Sequence, residues 1–285
     1  MPLEALNAIL ARNRNLRNTA TPYERRPRDA EKDGVEGVIR LMPALKGHDC
    51  ASCGNKGYAA ASKDGRWLAK ACACLAIRES MHRIEKSGLG AMLKECTFDT
   101  FLASENWQHE AKSAVMRYAE TQPQERASWL FVGGQPGSGK THLCTAAIGR
   151  FLDRGKSARY MLWRDASVQL KAIVNMHEEY AKEITPLKTV DVLYIDDFFK
   201  TERGKAPTTA DINLAFEILN YRYNRQELLT VISTERLLFE LLDFDEAVGS
   251  RIYHRTAGYR IEIQPSAERN YRLREAGCTD ASKRI

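Results

Sequence analysis

The sequence predicts an α/β fold in which a parallel β-sheet is flanked by helices, preceded by a small helical and cysteine-rich N-terminal domain. Apolar runs of the strand type alternate with helical stretches from about residue 128 onward, which is the pattern of a parallel sheet. A glycine-rich segment connects the first of these strands to a helix. Four of the seven cysteines lie between residues 50 and 74. We therefore expect an N-terminal domain over residues 1–104 and an α/β domain over residues 105–285.

Hydrophobic periodicity and Gly and Pro positions place the elements. The predicted strands are residues 128–132, 158–163, 190–199, 228–235 and 259–263. The predicted helices are residues 3–17, 75–98 (broken near Gly88 and Gly90), 141–152, 166–181, 209–225, 238–254 and an arginine-rich terminal stretch. Residues 18–46 are expected to form a connector. From the number of residues after the last predicted strand, we expect no separate helical lid.

Length and composition exclude several classes of protein. With 285 residues and 44% hydrophobic content the chain can bury a large core. It contains neither an apolar run of about 20 residues nor the apolar centre of a signal peptide, so we expect a cytoplasmic protein without membrane contact. The net charge of +6 favours a polyanionic partner. Six arginines within residues 12–28 fit either nucleic-acid contact or a solvated basic face.

Residues 133–142, GGQPGSGKTH, contain a complete phosphate-binding loop pattern. The glycines permit backbone conformations in which successive N–H groups surround a triphosphate, and the helix that follows directs its N-terminus toward the anion. The pattern predicts that Lys140 contacts the β- and γ-phosphates of ATP and that the Thr141 hydroxyl binds Mg²⁺. A chance glycine-rich turn would not require the flanking strand and helix. The candidate ATP-binding residues here are Gly134, Gln135, Pro136, Gly137, Ser138, Gly139, Lys140, Thr141 and His142.

A second candidate site element is the segment VDVLYIDDFFK, residues 190–200. Its apolar run suits a central strand, and Asp196 and Asp197 at the carboxyl end would project toward the phosphates. In nucleotide-hydrolysing proteins with this loop, the first acid helps to hold Mg²⁺ and the second orients or deprotonates the attacking water. We assign these roles to Asp196 and Asp197 respectively. The alternative is a solvated strand end.

The clustered cysteines predict a structural zinc site. In a cytosolic chain such a cluster indicates metal before disulfide. A CxxC pair is followed 18 residues later by a CxC pair, and the segments GNKGY and SKDGRW between them are expected to form tight turns, so residues 47–75 form a candidate zinc module. The predicted ligands of Zn²⁺ are Cys50, Cys53, Cys72 and Cys74. His48 or His82 could replace one thiolate, and an iron–sulfur cluster or unligated cysteines are the alternatives.

Several motifs, in order, carry a family resemblance: GGQPGSGKTHL, VDVLYIDDFFK, INLAFEILNYRYNRQ, TVISTE and EAVGSRI, behind the cysteine-rich module. Over about residues 47–285 the chain resembles the AAA+ helicase loaders of the DnaC and DnaI type, above all those of bacteriophages and mobile elements. The resemblance implies an ATPase whose N-terminal domain binds a hexameric replicative helicase of the DnaB type. It also implies that the AAA+ domain binds ATP and single-stranded DNA, self-associates, and helps to place the helicase ring on DNA.

The resemblance also implies roles for residues outside the phosphate loop. Ser233, Thr234 and Glu235 occupy the position that reads the γ-phosphate, and Thr234 is the residue we expect to act there. Arg251 occupies the place of an arginine finger that reaches the ATP of a neighbouring subunit. In the alternative interpretation, Arg251 pairs with an acid of its own helix, at residue 245 or 246. The tail arginines at positions 269, 272 and 274 are expected to contact DNA.

Two departures from the family pattern bear on activity. Asp197 is one methylene shorter than the usual Glu, which predicts slow hydrolysis, and Glu235 stands where Asn or Asp is commoner. Two other functions remain open at this point: a transposition ATPase of the IstB type, and an adaptor that binds ATP with little turnover and captures a helicase.

Overall fold

The computed structural model describes residues 29–45, 49–120, 128–201 and 205–272. The predicted helix over residues 3–17 and most of the terminal arginine-rich stretch lie outside these ranges. Contacts between residues divide the chain into two compact units, Met1–Arg83 and Ile84–Ile285. The domain boundary between residues 104 and 105 stays a prediction. Within the described ranges, no helix has the length and apolar character that crossing a membrane requires.

The helices and strands of the described residues are numbered in chain order. They are α1 (Asp29–Leu41), β1 (Tyr58–Lys63), β2 (Arg66–Ala71), α2 (Cys74–Ser87), α3 (Met92–Glu95), α4 (Asn106–Glu120), β3 (Trp129–Gly134), α5 (Lys140–Asp153), β4 (Ala158–Leu162), α6 (Trp163–Ala172), α7 (His177–Thr189), β5 (Val192–Asp196), α8 (Thr209–Tyr223), β6 (Leu229–Ser233), α9 (Leu238–Phe244), α10 (Glu246–Arg255) and β7 (Arg260–Ile263).

The first unit contains an antiparallel hairpin of β1 and β2. A two-residue turn connects the strands, and both of its residues, Asp64 and Gly65, have positive φ angles of 50° and 81°. An Asp-Gly pair with two positive φ angles is the preferred turn for a tight hairpin, because its twist matches that of the strands. The predicted turn in SKDGRW is therefore confirmed.

Helix α1 lies within the stretch predicted as a connector, so that prediction was wrong. Gly34 and Gly37 weaken the intrinsic helix propensity of the segment and obscured the pattern. Val35 and Ile39, four residues apart, share one face of the helix, and Ile39 is buried. Helix α1 contacts both strands of the hairpin. Tertiary burial of this face therefore outweighs the local propensity.

The second unit contains a five-stranded parallel sheet with the strand order β4-β5-β6-β3-β7. Every residue of β3, β5 and β6 is buried, as expected for parallel strands covered on both faces. Side chains alternate between two apolar clusters, because successive residues of a strand point to opposite faces. Leu130 and Val132 of β3 join one cluster, whereas Trp129 and Phe131 join the other. The predicted α/β fold with a parallel sheet is confirmed.

The predicted helix over residues 166–181 is two helices, α6 and α7, so its continuity was wrong. A turn closed by a hydrogen bond from Met176 N to Ile173 O (2.8 Å) separates them. Val174 and Met176 are about half exposed there (49% and 55%), so no burial favours a straight helix through the turn. These two helices form the connection between β4 and β5.

The fully buried Arg222 of α8 joins helices and strands on one side of the sheet. Its guanidinium donates to the carbonyls of Leu187 (3.1 Å) and Lys188 (3.0 Å), at the end of α7 where helical carbonyls lack helical partners. It also donates to Thr230 Oγ1 (2.9 Å) and to Leu229 O (2.5 Å) of β6. Burial lowers the pKa of Arg222 to about 9.

We predict that Arg222→Lys lowers the free energy of unfolding by about 2–4 kcal/mol, because an ammonium lacks the planar fork and leaves buried carbonyls without donors. Urea denaturation followed by circular dichroism measures the change. The matched control is Arg164→Lys on the exposed side of α6, which should change the free energy by less than about 0.5 kcal/mol. Equal effects of the two substitutions would contradict the stabilising role of Arg222.

Candidate functional site

The predicted phosphate loop connects the end of β3 to the start of α5, and its glycines are required by both conformation and packing. Gly134, Gly137 and Gly139 have φ angles of 104°, 72° and 87°. A Cβ on Gly134 would lie 2.0 Å from the carbonyl oxygen of Ile263, and one on Gly139 would lie 2.6 Å from the Phe101 ring. Side chains at these positions would force the loop open. The loop therefore keeps backbone N–H groups at the N-terminus of α5 accessible to an anion.

Lys140, the predicted phosphate-binding cation, is buried at the centre of this loop. Its Nζ donates to the carbonyl oxygens of Gly134 (2.8 Å) and Gln135 (2.7 Å). Burial lowers the pKa of Lys140 to about 8, and the nearby carboxylates of Glu235 and Asp197 oppose that shift. The loop thus holds a cation whose hydrogen-bond partners are neutral, which is a favourable position for a polyanion.

The structure brings together the two predicted Mg²⁺ ligands. Asp196 ends β5 and is 4% exposed, and its Oδ1 accepts a hydrogen bond from Thr141 Oγ1 at 3.2 Å. Ser233 of β6 also donates to Oδ1, and the Tyr160 hydroxyl of β4 donates to Oδ2 at 3.1 Å. A carboxylate and a hydroxyl next to a phosphate loop provide oxygen ligands of the kind that Mg²⁺ prefers.

Asp197, the predicted water-orienting acid, is paired with a cation that sequence reasoning missed. Lys200 Nζ lies 2.9 Å from Asp197 Oδ2 and 3.0 Å from Glu235 Oε1. Burial would lower the pKa of Lys200, but its hydrogen bonds to these two carboxylates outweigh burial and leave the pKa raised. A lysine three residues after the second acid gave no signal in the sequence, because the turn that returns it to the strand end has no characteristic pattern.

A cavity of about 330 Å³ lies over the loop. Its lining includes residues 136–142 of the loop and the charged residues Asp197, Lys200 and Glu235. Gly134 and Gln135 lie beside it, where Gln135 Oε1 accepts from the N–H of Ser266 (3.0 Å). The lining residues from outside the predicted motifs are Thr100, Phe101, Leu102, Gln108, Tyr271 and Arg272.

Two distant segments enclose the loop. His142 Nε2 contacts the carbonyl of Thr97 (2.8 Å), and its ring meets that of Phe101 edge to face, with centroids 5.3 Å apart. On the other side, Tyr271 N donates to Gly137 O at 3.0 Å. Arg272, predicted to contact DNA, lines this cavity, and position 274 lies outside the described residues. The apolar residues near position 101 resemble ordinary core positions in the sequence, so no motif could have identified them.

Thr234, predicted to read the γ-phosphate, is fully buried below the cavity. Its hydroxyl donates to Phe198 O at 2.7 Å and accepts from Arg236 N at 3.1 Å. These bonds connect the end of β6 to the segment that follows β5. Its neighbour Glu235 lines the cavity instead. The role of Thr234 stays a prediction.

Arg251, the predicted arginine finger, lies on α10 away from the cavity lining. Its Nε donates to Asn220 Oδ1 (3.1 Å) and its Nη1 to Ala247 O (2.7 Å). The guanidinium carbon lies 4.7 Å from the centroid of the Phe216 ring. Among the described residues, these partners of Arg251 do not include Asp245 or Glu246, the two acids of the alternative interpretation. Asp245 Oδ1 instead accepts from Val248 N at the start of α10. The finger role needs a second subunit and stays a prediction.

The four predicted zinc ligands lie together in the first unit. Their sulfur atoms all lie within 4.8 Å of one another, with 3.7 Å between Cys50 and Cys72 and 3.5 Å between Cys53 and Cys74. The N–H of Gly57 donates to Cys53 Sγ (3.3 Å). Within the described ranges, the set of candidate metal ligands consists of these four cysteines, so His82 does not replace one of them. Position 48 lies outside those ranges.

Comparison with known sequences finds relatives that include a phage-like element protein and a replicative helicase loader. The chain is 30% identical to the phage-like element PBSX protein XkdC of Bacillus subtilis over 259 residues, which cover 87% of this chain and 92% of XkdC. It is 33% identical to the uncharacterized protein YqaM of the same organism, over 72% of this chain and 66% of YqaM. It is 30% identical to the replicative helicase loader DnaC of Escherichia coli, over 39% of this chain and 46% of DnaC.

Comparison with solved structures shows the same fold. The crystal structure of the DnaC helicase loader matches with a TM-score of 0.51 at 19% identity, over 62% of this chain and 99% of that one. The replication initiator DnaA, bound to AMPPCP and single-stranded DNA, matches with a TM-score of 0.50 at 21% identity, over 66% of this chain and 57% of that one. Residues 92–257 match the family of the bacterial DnaA ATPase domain. The similarity to DnaC-type proteins is thus confirmed, and the chain belongs to the DnaA ATPase-domain family.

Proposed function

We propose that this chain is an ATPase that loads a replicative DNA helicase of the hexameric DnaB type onto single-stranded DNA. One observation carries the ATPase part: Lys140, Thr141 and Asp197 line one cavity at the carboxyl edge of the sheet, and Thr141 donates to the buried Asp196. The names of relatives support the loader part, since DnaC is a replicative helicase loader and XkdC belongs to a phage-like element. Self-association and a cytoplasmic location are parts of the same proposal.

The geometry supports a separate role in hydrolysis for each of these residues. Lys140 faces the β- and γ-phosphates of ATP, and Thr141 and Asp196 would hold Mg²⁺, which neutralises charge on the phosphate oxygens. Asp197 orients a water whose oxygen attacks the γ-phosphorus. The bond from that phosphorus to the bridging oxygen breaks, and ADP leaves with the bonding electrons. Inorganic phosphate carries the new oxygen with one proton of the water, and the other proton passes through the Asp197 carboxylate to solvent.

The cysteine cluster fits a structural zinc ion. With Zn–S bonds of about 2.3 Å, the sulfurs of a tetrahedral site lie about 3.8 Å apart. The observed separations of 3.5 and 3.7 Å are close to that distance. Among the described side chains of the first unit, the buried apolar ones are Ile39 and Cys74. Bound Zn²⁺ would add to the stability of this module.

A second candidate is the adaptor that binds ATP with little turnover. The ion pair of Lys200 with Asp197 favours it, because the acid expected to activate water is already neutralised.

Substitutions at Lys140 and at Asp197 should affect ATP binding and ATP turnover differently. Lys140→Ala removes the cation facing the β- and γ-phosphates and should weaken ATP binding by about tenfold or more. Asp197→Asn keeps the shape of the side chain and removes its charge, so ATP should bind while turnover falls by about 100-fold. Fluorescent-nucleotide titration and phosphate release measure the two effects. Equal loss of binding in both variants would contradict the role given to Asp197.

We predict one zinc ion per chain, lost in Cys53→Ser and retained in Cys96→Ser, whose thiol lies outside the cluster. Elemental analysis of purified protein gives the stoichiometry. Cys53→Ser should bind ATP like the unsubstituted protein, because the cysteine cluster and the ATP site lie in different units. Iron in place of zinc would support an iron–sulfur cluster, and the absence of any bound metal would refute the metal site.

Loading is tested with a hexameric replicative helicase and circular single-stranded DNA, which has no end for a ring to thread. With ATP the chain should increase the helicase recovered on circles after gel filtration, and Lys140→Ala should abolish the increase. Cys53→Ser should lose binding to the helicase if the N-terminal domain carries that contact. Binding to circles without any recruitment of helicase would refute the loader function and favour the transposition ATPase.

A further inference from the structure

Three charged side chains form a cluster at the carboxyl edge of the sheet. Asp197 follows β5 and Glu235 follows β6, and these strands are hydrogen-bonded neighbours. Lys200 lies between the two acids, 2.9 Å from one carboxylate and 3.0 Å from the other. All three line the cavity that also contains Lys140 and Thr141. The cluster therefore belongs to the space where the γ-phosphate of ATP would lie.

Glu235 cannot by itself bind a phosphate. An ionised carboxylate has acceptors and no donor, and it repels another anion. Its side chain is 34% exposed and lines the cavity, close enough to Lys140 to oppose the lowering of that pKa. A glutamate at this place needs a cation between itself and the γ-phosphate.

Lys200 is held where it supplies that cation. The turn from Asp197 to Lys200 closes with a hydrogen bond from Lys200 N to Asp197 O (2.9 Å), and Asp197 and Phe199 have positive φ angles of 54° and 53°. Such angles in residues with a Cβ persist only where surrounding packing imposes them. Phe198 and Phe199 are fully buried and stacked with their centroids 4.1 Å apart, and Phe198 N donates to Ser233 O (2.9 Å).

We propose that Lys200, held by Glu235, is the group that recognises the γ-phosphate and thereby distinguishes ATP from ADP. An ammonium has three N–H donors, so Lys200 can keep its bond to Glu235 while donating to a γ-phosphate oxygen. In doing so it leaves Asp197, whose carboxylate becomes available to orient water. The pair Lys200 and Glu235 thus takes the role that the sequence predicted for the hydroxyl of Thr234 at the end of β6. This inference rests on the proposed ATPase function.

The test compares the affinities for ATP and for ADP in Lys200→Met, which keeps the length of the stem and removes the charge. ATP affinity should fall by about tenfold or more while ADP affinity changes by less than about twofold, because ADP lacks the phosphate that Lys200 would contact. Turnover should fall as well. Lys200→Arg should retain part of the preference for ATP, and Glu235→Gln should lose part of it.

The matched control is Lys188→Met, which breaks another lysine–carboxylate pair of the same unit, 2.5 Å from Glu217, away from the cavity lining. It should leave both affinities unchanged. Unchanged ADP affinity in Lys200→Met also shows that the variant folds. An unchanged ratio of ATP to ADP affinity in Lys200→Met overturns the proposal.

Faster turnover in Lys200→Met would equally overturn it, because Lys200 would then only restrain Asp197. The affinity ratio separates this proposal from the ATPase function itself. A chain that binds ATP without hydrolysing it refutes the ATPase function, while the ratio still decides the role of Lys200. A chain that binds neither nucleotide refutes both.

Discussion

The buried carboxylate of Asp196 holds together the edge of the sheet on which the site is built. It accepts hydrogen bonds from Thr141 of α5, Ser233 of β6, Tyr160 of β4 and the N–H of Asp197. A buried carboxylate with fewer donors would be costly, so these bonds fix the ends of the strands relative to the start of the helix. The distance from the phosphate loop to the acids at the strand ends depends on this one side chain.

The phosphate loop keeps its shape because segments far apart in sequence pack against its glycines. A Cβ on Gly134 would meet β7, one on Gly137 would lie 2.1 Å from Asn270 Oδ1, and one on Gly139 would meet the segment before α4. The conformational freedom of glycine makes the loop possible, and this packing makes it rigid. A preorganised loop binds an anion with little loss of conformational entropy.

The two lysines of the site have different partners before any ligand arrives. Lys200 is shared between the carboxylates of Asp197 and Glu235, whereas Lys140 donates to the neutral carbonyls of Gly134 and Gln135. Lys140 could therefore bind phosphate without breaking an ion pair, whereas Lys200 would have to give up its bond to Asp197 to reach phosphate. This difference is the basis of the γ-phosphate recognition proposed above for Lys200.

The sequence by itself determined the parallel sheet, the phosphate loop and the cysteine cluster, because each depends on local periodicity or on short fixed spacings. The pairs Thr141 with Asp196 and Cys50 with Cys72 could be expected for the same reason, and the structure brings each pair together. Helices α1 and α4, the break between α6 and α7 and the break between α9 and α10 were missed. Tertiary burial decided α1, and exposure decided the first break, against local propensity. Only the tertiary structure placed Lys200 between two carboxylates and residues 100–102 and 271–272 around the loop. The reason is the strand order β4-β5-β6-β3-β7, which brings distant segments to one edge and which no local pattern encodes.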